Sequence, residues 1–113
     1  MQALAINADD MIAIYNLANL ERLRCNYENA NGLYMRVFKL KEKGIKLGTL
    51  DYDSLVNRSI CLEKLERYDE SIDCCNTAIQ LNPNDVSAYF NKSMNLLKKV
   101  YESARCLFGN VTK

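Results

Sequence analysis

Residues 52–85 read YDSLVNRSICLEKLERYDESIDCCNTAIQLNPND. Two amphipathic stretches are joined here by a short polar turn. In the first, Leu55, Ile60, Leu62 and Leu65 supply apolar anchors along a helix. In the second, Ile72, Cys75, Ala78 and Ile79 recur at three- and four-residue spacing and form a buried stripe. Asp69 is placed to cap the second helix, and Glu70 lies in its first turn, where the helix dipole favours a carboxylate. Asn82-Pro83 ends that helix, because the residue before a proline avoids αR geometry. Asn84 and Asp85 can cap the next. Pro83 is the chain's only proline.

The same signs recur on either side. Tyr15-Asn16-Leu17-Ala18, Val56-Asn57-Arg58-Ser59 and Phe90-Asn91-Lys92-Ser93 each read bulky, Asn, long, small. A second signal of aromatic, two polar, small follows each: Tyr27-Glu28-Asn29-Ala30, Tyr68-Asp69-Glu70-Ser71 and Tyr101-Glu102-Ser103-Ala104. Helical periodicity alone does not impose such a shared register, so an unrelated small helical bundle is the poorer explanation.

These segments resemble the tetratricopeptide repeat (TPR), a helix-turn-helix of about 34 residues, and residues 52–85 match one unit without a gap. The resemblance implies an all-α fold, a right-handed superhelical array of antiparallel helix pairs with about two and a half repeats in one domain. The first unit covers about 11–44, the second 52–85, and a partial third 86–108. Small residues at Ala18, Ala30, Ser59, Ser71 and Ser93 let paired helices approach, Tyr27 and Tyr68 fill the space beside each turn, and Ala78 and Pro83 hold the family's later positions. Tyr34 and Val37 belong to the second helix of the first unit, which is expected to run on and stop near Gly44, as in three-repeat cochaperone and immunophilin TPR domains. The third unit departs from the pattern. Its first helix is expected from Ser87 to Lys99, its turn is one residue short, and its second helix is a stub from Glu102 to Phe108. Its missing cover is expected beyond Lys113 or on a partner.

In such arrays the first helix of each unit lines a concave groove, so the resemblance implies a non-catalytic protein-protein interaction module holding a peptide or partner helix. The expected lining is Tyr15, Asn19, Arg22, Asn57, Ile60, Lys64, Phe90, Asn91, Met94 and Lys98. Asparagines can bond a peptide backbone whatever its side chains, and the aromatics can cover apolar anchors. Asn57 and Asn91 fit equally well as packing groups between repeats. The carboxylate clamp of cochaperones is a sharper possibility, since it needs cations around two desolvated carboxylates. Its asparagines fall on Asn19 and Asn57, but its three basic positions fall on Tyr15, Ser87 and Asn91. Arg22, Lys64 and Lys98 would still leave the groove mildly basic. An alternative role is that of a scaffold subunit that self-associates or docks through its incomplete third repeat.

Composition narrows the function further. The 113 residues carry a formal charge of +1, which provides no global field for nucleic acid or an anionic membrane. There is no histidine, which removes the commonest general base and metal ligand, and no Gly-rich phosphate loop. No cofactor or metal is expected, and no enzymatic activity. The five cysteines, Cys25, Cys61, Cys74, Cys75 and Cys106, form no Cys-x-x-Cys pair and read as small packed hydrophobes. A thiol redox activity is the remaining enzymatic reading, and it would need an exposed thiol of lowered pKa. Without a signal peptide or membrane span, an intracellular, cytoplasmic location is expected. The cluster Lys39, Lys41, Lys43 and Lys46 reads as a solvated helix end. The three Asn-x-Ser/Thr sequons at Asn57, Asn91 and Asn110 carry no weight without secretion.

Overall fold

Ala18, Ala30, Ser59 and Ser71 have no exposed surface at all, and they set how closely the helices pack. The computed structural model describes residues 8–42 and 50–109. Five helices follow one another: α1 (Ala8–Leu23), α2 (Tyr27–Glu42), α3 (Leu50–Lys64), α4 (Tyr68–Leu81) and α5 (Val86–Phe108). They pack as sequential antiparallel pairs, each against the next, and α3 also touches α1 and α5. At the centre of the second pair the Ser71 hydroxyl donates to the Ser59 carbonyl at 2.7 Å, a contact open only to a short side chain. The molecule is elongated, 59 × 33 × 22 Å, as expected when each unit contacts only its neighbours.

The core is accordingly divided. Tyr52, Leu55, Leu62, Cys74, Ala78 and Ala88 form a cluster between α3, α4 and α5. Ala18, Ala30, Tyr34 and Cys61 join α1 and α2 to α3, while Met11, Val37 and Leu40 close the other end of the first pair. Within α3, Leu55 and Leu62 are buried and Ile60 is half-buried, as is Leu65 in the turn that follows. In α4, Cys75 and Ala78 are buried together with Cys74.

The turns between α1 and α2 and between α3 and α4 are built alike. Cys25 (φ 63°) and Glu66 (φ 61°) both occupy the left-handed region. Asn26 N–H donates to the Glu21 carbonyl and Arg67 N–H to the Leu62 carbonyl, both at 2.8 Å. Cys25 N–H reaches Arg22 and Glu66 N–H reaches Glu63, both at 3.0 Å, which completes a Schellman motif in each turn. Each group in one turn has its counterpart in the other at a constant offset, the same offset that separates Asn16 from Asn57. Glycine takes this conformation without the steric cost borne by a Cβ. Glu66→Gly is therefore expected to stabilise the domain by about 0.5–1 kcal/mol, measured as a higher urea midpoint.

Two expected features differ. α4 begins at Tyr68 with Arg67 as its N-cap residue and no side-chain cap, so Asp69 sits inside the first turn and does not cap. Its carboxylate instead meets the Lys99 ammonium at 2.6 Å. Arg67 spans Glu70 (2.6 Å) and Glu28 (3.2 Å), tying the start of α4 to α2. The second difference is larger: α5 is one continuous helix of 23 residues, with no turn between Lys99 and Glu102. Its start is as expected, since the Asp85 carboxylate caps it by accepting from Ser87 N–H at 2.9 Å. Ser93, expected at a helix contact, is exposed because, among the described residues, no second helix folds back on α5. The expected stop near Gly44, with Lys43, Lys46 and Gly48, lies outside the described residues.

Candidate protein-binding face

Residues three and four apart on a helix share a face, which places Tyr15, Asn19 and Arg22 together on α1, Asn57 and Lys64 on α3, and Asn91, Met94 and Lys98 on α5. The structure joins the first two groups in one hydrogen-bonded chain. Arg22 can only donate, and its Nε reaches the Tyr34 hydroxyl at 3.3 Å. Tyr34 therefore passes its own proton to Asn19 Oδ1. That oxygen also accepts from Asn57 Nδ2 at 3.1 Å, and the same amide donates to the Tyr15 hydroxyl at 3.1 Å. One guanidinium thus sets the direction of every bond in the chain.

Tyr34 anchors the network from below. It is 1% exposed, meets Tyr15 edge-to-face with ring centroids 6.0 Å apart, and burial pushes its phenol up to about 12 against the opposing pull of Arg22. Its hydroxyl therefore stays a neutral donor. Among the described residues, Asn19 Nδ2, Asn57 Oδ1 and the Tyr15 proton have no partner. Asn19, Asn57 and Tyr15 are half-buried, so these groups face solvent with fixed orientations.

The α5 part of the face is arranged differently. Asn91 Nδ2 donates to Ser59 Oγ at 3.3 Å and its carbonyl accepts from Asn95 Nδ2 at 2.7 Å, so Asn91 serves the packing of α5 on α3. Lys98 is paired with Glu63, which raises the lysine's pKa, and it is no free cation. Arg22 and Lys64 remain as the positive groups there. Phe90 is exposed and Met94 half-buried, at the rim where this face meets the outer side of α5.

Sequence reasoning missed the roles of Tyr34, Glu63 and Asn95. Asn95 is fully buried, and its Oδ1 has no partner among the described residues. A buried Asn carries no periodic signal by which to find it. A cavity of about 540 Å³, lined by Leu17, Gly32, Leu33 and Arg36 among others, opens between α1 and α2. It belongs to a different surface, because Leu17, midway in sequence between Tyr15 and Asn19, falls on nearly the opposite side of α1.

The thiols fall into two groups. Cys61, Cys74 and Cys75 are buried, and Cys25 and Cys106 are exposed. Burial pushes the Cys61 and Cys74 thiols up to about 11 from 9.0, and raises Cys75 as well. Those three therefore lack the lowered pKa that nucleophilic or redox work requires. In the unfolded chain they ionise first, so their contribution is complete below pH 9 and is lost as pH rises toward 11. The urea midpoint is expected to fall through this window, with a shallower slope in the Cys61→Ala, Cys74→Ala double variant.

Among the described residues no group of three His, Cys, Asp or Glu side chains could hold a metal ion, and no helix is long and apolar enough to cross a membrane. No curated protein and no solved structure matches the chain significantly. The tetratricopeptide repeat family matches at residues 52–85, which comprise α3 after its first two residues, the Schellman turn, α4 and the Pro83 connection. The chain therefore carries a tetratricopeptide repeat within an all-α array of paired helices, and that repeat implies a protein-protein interaction module.

Proposed function

We propose that the face shared by α1, α3 and α5 binds an extended peptide or partner helix, without catalysis. The observation that carries this reading is the directed chain from Arg22 through Tyr34 to Asn19 and Asn57. It leaves one amide donor, Asn19 Nδ2, beside one amide acceptor, Asn57 Oδ1. Together they match the C=O and N–H of a peptide, and because they are held in place, little side-chain entropy is lost on binding. Tyr15 and Phe90 add aromatic cover, and Arg22 with Lys64 favours a ligand bearing acidic or amide groups. The clamp of cochaperones is not reproduced, because Tyr15, Ser87 and Asn91 stand where its cations would be.

Selection of peptides from a random displayed library, followed by NMR titration of the best binder, tests the assignment. The side-chain amides of Asn19 and Asn57 are expected to shift, and Asn57→Ala to weaken binding about tenfold, or about 1.4 kcal/mol. Perturbations confined to the Leu17 and Leu33 cavity, with Asn57→Ala binding normally, would overturn it.

A further inference from the structure

Among the described residues, none covers the outer side of α5 along its length. Ala88 and Asn95 mark its buried side, and the opposite side carries Val86, Ser93, Val100 and Leu107 at seven-residue spacing. Phe90, Leu97 and Ala104 repeat the spacing beside them, and no charged residue interrupts the stripe. Nine large apolar side chains of α5 stand 44–77% exposed. They amount to on the order of 1,000 Å² per copy, so two copies reach the ~1,200–2,000 Å² total of a specific interface. From Val100 to Phe108 every residue but the half-buried Glu102 is exposed, so the end of α5 projects from the array as an arm.

That arm bears the second-helix signal of the third unit. Ala18 packs by Ala30, and Ser59 by Ser71, each pair facing across a folded turn. Ser93 and Ala104 are one position closer in sequence but lie on one straight helix, about 16 Å from each other along its axis. Their turn does not form for a stated reason. In the first two units the left-handed residue lies seven positions after the small one, at Cys25 and Glu66. Counting seven from Ser93 puts β-branched Val100 there, in a conformation that such residues avoid. The residue missing from the turn adds strain to a hairpin that would otherwise close.

We propose that two copies of this chain complete each other's third repeat, each laying its Val100–Phe108 arm antiparallel on the exposed stripe of the other. Placing Ser93 of one copy against Ala104 of the other restores the small-on-small contact of the first two units. In that register Leu97 meets Val100 and Phe90 meets Leu107, twice over about a dyad between Lys98 and Lys99. A parallel pairing instead sets Ser93 against Ser93 and Phe90 against Phe90, which leaves a gap in one layer and crowds another. The exchange is a domain swap driven by a hinge too short to turn. It rests on the repeat register, and Phe90 is the residue it shares with the proposed peptide-binding face.

Sedimentation equilibrium of the full chain over a concentration series is expected to give twice the 13.0 kDa chain mass. Leu97→Lys is expected to give monomers with unchanged helical circular dichroism. A monomer at submillimolar concentration in the unmodified chain overturns the proposal. Inserting one glycine between Lys99 and Val100 restores the spacing of the first two units and puts glycine at the left-handed position, so this variant is expected to fold its own hairpin and become monomeric. A variant that stays dimeric overturns the swap. Ser93→Cys with Ala104→Cys, in a chain whose exposed Cys25 and Cys106 are changed to Ser, is expected to oxidise to a covalent dimer. An internal bridge, or none, overturns the antiparallel exchange.

Discussion

Substituting Ser71 with leucine is expected to lower the stability of the domain by about 3 kcal/mol, the upper part of the range for overpacked cores. The Ser71 side chain has no exposed surface and lies 2.7 Å from the Ser59 carbonyl, so α3 and α4 meet almost backbone to backbone. A leucine there must push α4 outward, and Cys75, Ala78 and Cys74 on the same helix lose their contacts with it. Ser71→Ala separates this steric effect from the hydrogen bond. The Ser59 carbonyl also lies within α3 and keeps its helical donor, so alanine is expected to cost about 1 kcal/mol or less. Urea unfolding of both variants gives the comparison, and equal losses would show that the bond rather than the spacing matters.

Leu62→Ala is expected to cost about 3 kcal/mol as well, through lost transfer energy and the cavity left behind. Leu62 is fully buried in the cluster shared by α3, α4 and α5. In a single large core, neighbours partly refill such a hole. Here the core is divided among three small clusters along a 59 Å array, and α3 is the one helix that touches all four others. Its loss therefore affects every pair, and thermal unfolding is expected more than about 10 °C lower for a domain of this size. A shift of only a few degrees would mean that the clusters unfold independently.

Much of this fold is legible in residue order. Helix pairs follow from apolar spacing, the end of α4 from Asn82-Pro83, and the start of α5 from the Asp85 cap. The register of small residues places Ala18 by Ala30 and Ser59 by Ser71, as the structure finds them. The Schellman turns were not legible, because neither Cys25 nor Glu66 is the glycine that usually signals one. The candidate face was legible in part. Spacing brings Tyr15, Asn19 and Asn57 to one surface, but only the packing of α1 on α3 shows them bonded together through Tyr34. The same holds for Asn91, which proves to hold Ser59, and for Lys98, which proves to be matched by Glu63 from another helix.

Sequence by itself determined the helix pairs, because helix propensity, capping and close contact act over a few residues and are written locally. Only the tertiary structure shows that α5 runs on as one helix past Lys99 and which polar groups stay free. Lys99, Val100 and Tyr101 contain no helix breaker, so continuing α5 keeps every backbone hydrogen bond. A turn would give some of them up and place Val100 in a left-handed conformation. Arg22 with Tyr34, Asn57 with Tyr15 and Lys98 with Glu63 lie 12 to 42 positions apart, and no local pattern encodes those pairings.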